Sequence, residues 1–195
     1  HIASPGQRIN SVTDSNGNPM VFTISENDGD KPSNLYLTYR DETQKTGWKQ
    51  IDLTDTLPKG GGKTQSFSVS QYVTGQITIA IVFSVTATGE SSLYISTQLS
   101  DNPSSSDWVN LKDNWMERPC PISGIEITSM DMTNAPSGVK SDGNGPLLFV
   151  AGKLKGKLNY YTVGSGVSPA KTWPVFTPPD KATSVTQVLS GLSLS

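Results

Sequence analysis

Ile77-Thr78-Ile79-Ala80-Ile81-Val82-Phe83 is a nearly unbroken apolar run. In an extended chain successive side chains point to opposite faces, so a run apolar at every position is a strand covered on both sides. Ahead of it, Ser66-Phe67-Ser68-Val69-Ser70 alternates strictly, as a half-buried strand does. Val73-Thr74-Gly75-Gln76 is the turn between the two, and a third strand follows at Leu93-Tyr94-Ile95. No window of a dozen residues keeps a 3.6-residue period, so the chain reads as all-β.

The same plan occurs on either side. Ile9–Asp14 and Ile127–Met132 correspond to the alternating strand, Met20–Ile24 and Leu147–Ala151 to the apolar one, and Leu35–Leu37 and Leu158–Tyr160 to the third. Asp14-Ser15-Asn16-Gly17-Asn18-Pro19 and residues 141–146 carry the Asn-Gly or Asp-Gly chemistry of tight turns. Trp48, Trp108 and Trp173 follow one another at 60 and 65 residues, each expected to open the fourth strand of its unit and to pack between units. A four-strand unit recurring at that length predicts a β-propeller of four-stranded antiparallel blades. The boundaries read as about 7–57, 64–113 and 125–178, with the first strand of a further blade at about 184–195. Three blades and a fragment leave the ring open, so a second chain or a second copy is expected to complete it. The chain opens on His1 with no initiating Met and no apolar leader, which reads either as a processed secreted protein or as an internal fragment.

Composition excludes several functions. Fifteen basic and seventeen acidic residues leave a net charge of −2, the wrong balance for a nucleic-acid partner, and no apolar run approaches a membrane span. His1 is the only histidine and Cys120 the only cysteine, so no catalytic histidine dyad, zinc cluster or internal disulfide can form. Gly60-Gly61-Gly62-Lys63-Thr64 lacks the leading spacing of a phosphate loop and reads as a flexible connector.

A Leu-plus-aromatic strand, a polar turn and a Trp resembles the arrangement of Asp-box and fungal-lectin propellers, although neither Gly47-Trp48 nor Asp107-Trp108 reproduces the Asp-box order. That resemblance implies a secreted, non-enzymatic carbohydrate-binding protein. Trp115 breaks the repeat phase and stands two residues before Glu117-Arg118, and an aromatic beside an acid and a guanidinium suits a sugar. Fucose-type lectin propellers use a similar trio. Trp115, Glu117 and Arg118 are therefore the first expected ligand site, with Tyr36/Trp48 and Tyr94/Trp108 as further candidates. Glu26, Asp28 and Asp30 are spaced as weak Ca²⁺ ligands, without the full calcium-loop order. An alternative is a glycoside-acting enzyme using carboxylates from Glu26–Asp30 and Asp113–Glu117. Another is a protein-interaction scaffold whose open edge at Ser184–Ser195 pairs with a partner strand. Arg8, Arg40 and Arg118 match a sialidase triad in number, but Arg40 falls on the opposite end of its unit from the other two.

Overall fold

The computed structural model describes residues 7–25, 33–58, 63–73, 75–84, 91–118, 120, 122–133, 146–164, 173 and 175. Within them the chain is all-β, with one four-residue helix, α1 (Ser106–Val109), and two single 3-10 turns. The first sheet is β1 (Gln7–Thr13), β2 (Pro19–Ser25), β3 (Leu35–Arg40) and β4 (Trp48–Asp52). The second is β5 (Lys63–Val73), β6 (Gln76–Ser84), β7 (Ser91–Ser100) and β8 (Met116–Arg118); the third is β9 (Glu126–Thr133), β10 (Leu147–Leu154) and β11 (Lys157–Gly164). Each sheet is an antiparallel meander whose strands lie side by side in chain order.

Register decides which residues share a face. In the first sheet Met20, Phe22 and Ile24 of β2 stand opposite Tyr39, Leu37 and Leu35 of β3, and all six are buried on the face turned to the second sheet. The second sheet uses both faces. Phe67, Val69, Ile79 and Ile81 enter the core shared with the first sheet, together with Trp108 and Leu111. Ala80, Val82, Leu93 and Ile95 enter a second core with Met130, Met132, Leu148, Val150 and Val163 of the third sheet. The unbroken run in β6 is thus covered from both sides, as its composition requires.

Polar ties reinforce the stack. Ser33 and Thr64 hydroxyls bond across the first two sheets, and the Ser15 N–H donates to Asp101 Oδ2 at 2.6 Å. Between the second and third sheets, serines of β5 meet the backbone of β9, an edge strand. The Met130 and Met132 N–H groups donate to the Ser66 and Ser68 hydroxyls at 3.0 and 3.2 Å. The Ile127 N–H donates to Ser91 Oγ at 3.0 Å. A serine is small enough to let two strands approach, and its hydroxyl satisfies a buried donor that would otherwise cost about 1–3 kcal/mol.

The tryptophans depart from the expected phase. Trp48 does begin β4, but strand alternation turns it to the outer face of the first sheet, where it is 39% exposed rather than packed between units. Trp108 lies on α1, whose start is capped by the Ser105 hydroxyl accepting the Asp107 N–H; it does not open a strand. The fourth strand of that sheet is β8, which ends at Arg118. Trp173 is buried in the second core, 6.4 Å from Tyr161, and Val175 bridges to Tyr161. The expected strand at 184–195 and the turn at 141–145 lie outside the described residues.

No helix among the described residues is long and apolar enough to cross a membrane.

Candidate functional site: an exposed aromatic face and the cleft beside it

The expected trio does not share a surface. Trp115 precedes β8, packs on the first core and donates its indole N–H to the Thr56 carbonyl at 2.7 Å, joining two inter-strand connectors. Glu117 pairs with Tyr94 in register, while Arg118 pairs with Leu93, so adjacent side chains on β8 leave by opposite faces. Arg118 is 4% exposed beneath the second core, and its guanidinium reaches Met116 Sδ at 3.7 Å. Burial pulls it below its ordinary value. Tyr94 meets Phe83 edge-on at 6.1 Å. Burial, and after it the Glu117 carboxylate, pushes its hydroxyl up. Trp108 is 1% exposed, 5.5 Å from the Phe22 ring, and donates to the Asn102 carbonyl at 3.1 Å. These aromatics hold sheets together. Glu26, Asp28 and Asp30 lie outside the described residues, and among the described residues no group of three or more His, Cys, Asp or Glu could hold a metal.

Tyr36 and Trp48 stand differently. On the outer face of the first sheet the register runs Tyr36 opposite Asp52, Thr38 opposite Gln50 and Arg40 opposite Trp48. Four residues of strand separate the first pair from the last, about 13 Å at the usual rise. Gln50 Nε2 donates to Thr38 Oγ1 at 3.2 Å, fixing the middle of the row. The Arg40 guanidinium carbon lies 5.8 Å from the Trp48 ring centre, a cation–π contact. The turn that returns the chain permits it. Gly47 has φ +72°, and a Cβ there would stand 3.3 Å from an Arg40 terminal nitrogen. Asp41 Oδ1 accepts the Thr43 hydroxyl at 2.6 Å and the Thr43 N–H at 3.0 Å. Those two donors hold the Asp41 carboxyl below its ordinary value.

Arg40 also lines a cleft of about 340 Å³ at the end where the first two sheets meet. One wall is the β1–β2 turn with Asp14 and Asn18, the β3–β4 turn with Asp41 and Glu42, and Lys49 at the start of β4; the other is Asn102–Ser104. Both walls are fixed by their own hydrogen bonds. Asp14 Oδ1 accepts the Asn16 and Asn18 N–H groups at 2.9 and 2.7 Å. Slight burial works to raise this carboxyl, yet those donors keep it below its ordinary value. Asn102 Oδ1 accepts the Ser104 N–H at 3.0 Å, and its carbonyl takes the Ser105 N–H at 2.9 Å. Tyr39 lines the cleft and is 7% exposed, and among the described residues its hydroxyl has no hydrogen-bond partner. Sequence reasoning did not find the cleft, because its lining comes from three separate segments that only sheet stacking joins.

Comparison with protein-family models, with curated proteins and with solved structures returns no match for this chain.

Proposed function

We propose that this chain is a non-enzymatic carbohydrate-binding protein whose sheets form an arc of a β-propeller, with Trp48, Arg40 and Tyr36 as its sugar platform. The observation that carries the reading is the contrast among its four tryptophans. Trp108 and Trp173 are buried and Trp115 has given up its indole N–H, whereas Trp48 is 39% exposed beside a guanidinium. What sets Trp48 apart from the other exposed apolar residues is the guanidinium held at its ring, which gives an aromatic face and hydrogen-bond donors in one place. A pyranose presents an apolar face for Trp48, and its hydroxyls suit Arg40, Gln50 and Asp52 along the same row. The propeller reading is supported by meanders stacked in chain order, with β5, the first strand of the second sheet, packed against both β1 and β9. An experimental structure in which those three strands did not converge on one axis would refute it.

The test of binding is an array of neutral, acidic and amino oligosaccharides probed with the native protein and with Trp48→Ala. Binding by the native protein, weakened at least about tenfold in the variant with an unchanged melting temperature, is expected. Unchanged binding by Trp48→Ala, or no saccharide bound by the native protein, refutes the platform.

A further inference from the structure

We infer that the cleft between the first two sheets is a second subsite of this platform, holding an uncharged saccharide ring next to the one stacked on Trp48. The inference rests on the sugar-binding reading and extends it to ligand class and length. Arg40 belongs to both places: its guanidinium lies over the Trp48 ring and its side chain lines the cleft. A chain of sugars leaving Trp48 past Arg40 therefore enters the cleft directly. The cleft is built in advance, because Asp14, Asp41 and Asn102 each spend acceptor oxygens on their own turns. Preformed walls bind with little ordering cost. Tyr39 lines the cleft with only 7% of its surface exposed, and its hydroxyl, which has no partner among the described residues, can donate to or accept from a sugar hydroxyl there.

Charge selects the class. Asp14, Asp41 and Glu42 share the lining with Arg40 and Lys49. A carboxylate on the ligand meets three like charges against two opposite ones; an ammonium meets two like charges, and two of its three opposite ones, Asp14 and Asp41, already accept hydrogen bonds from their own turns. Either repulsion counts against binding. An uncharged hydroxyl both donates and accepts, so it can serve the acids, the bases and the Asn18 and Asn102 amides alike.

The experiment is calorimetric titration of the native protein with two ligand sets. The first is the mono- to tetrasaccharides of glucose, xylose and N-acetylglucosamine; the second is oligogalacturonates and chitosan oligomers as acidic and basic counterparts. Affinity for the bound neutral series should rise about tenfold or more from monosaccharide to trisaccharide, since the second ring binds as an intramolecular event. Acidic and basic oligomers should bind more weakly than neutral ones of equal length. Tyr39→Phe and Glu42→Gln, which keep the shape of the wall, should each lower affinity for the trisaccharide several-fold and leave the monosaccharide unchanged. Trp48→Ala should weaken both. The subsite is overturned if affinity ignores length, if a charged oligomer binds tighter, or if Tyr39→Phe and Glu42→Gln are both silent while Trp48→Ala is not. Failure of every saccharide to bind overturns the platform and the subsite together.

Discussion

Asp131 stands where the second and third sheets touch. Its Oδ1 accepts the Met132 N–H at 2.9 Å and the Ser68 hydroxyl at 3.2 Å. Burial pushes its carboxyl above the ordinary value, and the two donors offset only part of that. The folded state therefore holds the proton more tightly than the unfolded chain does. This group's contribution to stability is complete below the unfolded carboxylate value of about 3.9 and is lost as pH rises through the raised native value. An asparagine side chain does not titrate, and its carbonyl oxygen could still accept both hydrogen bonds. The unfolding free energy of Asp131→Asn relative to the native protein should accordingly increase across that window and level off above it. Urea midpoints from about pH 3 to about pH 7 test this against the unfolded carboxylate value near 3.9. A difference independent of pH would show that the carboxyl titrates normally when folded.

Elements carry the next set of constraints. In the third sheet the β9–β10 register slips between Ala151 and Gly152. A Cβ on Gly152 would come within 2.7 Å of Ile125 Cδ1 and Cγ1 and 3.1 Å from the Glu126 carbonyl. The bulge thus brings β10 against the entry to β9 at a distance only glycine tolerates. Gly152→Ala should cost about 1–3 kcal/mol, as overpacking does, and adding Ile125→Val should return part of it because the clashing Cδ1 methyl is gone. Thermal melts of the single and double variants decide the matter, and strict additivity would argue against the contact. Most strands between Gln7 and Gly164 were legible because alternation, apolar density and Asn-Gly turns all report local geometry, but β8 is three residues long and fell beyond the expected end of its unit at about 113. What the sequence hid was non-local. The helix around Trp108 is four residues long, too short to show a period, so its Trp passed for a strand start. Similar spacing placed Trp48 in the repeat without saying which face it takes; the pairing with Arg40 decides that. Glu117 and Arg118 looked like partners because they are neighbours in sequence, and on a strand that guarantees opposite directions.

At the scale of the whole molecule the second sheet is the shared wall of two cores. Ile79 and Ile81 of β6 belong to one, and Ala80 and Val82 belong to the other. Opening either inter-sheet seam uncovers one face of β6 and leaves its bonds to β5 and β7 in place. Only global unfolding releases those amides. β4, by contrast, lies at a sheet edge with four of its five residues exposed, so a local opening suffices. Native-state hydrogen exchange should therefore find the Ile79–Val82 amides exchanging at the global unfolding free energy and those of β4 well below it. Ile79→Ala removes apolar volume from the first core and Val82→Ala from the second. Because both cores lie against one strand, each substitution should lower the β6 exchange free energy by the full amount it lowers global stability, about 2–5 kcal/mol for the isoleucine. If Val82→Ala destabilises the third sheet while β6 protection stays at its native value, the seams are independent and the stack is not one cooperative unit.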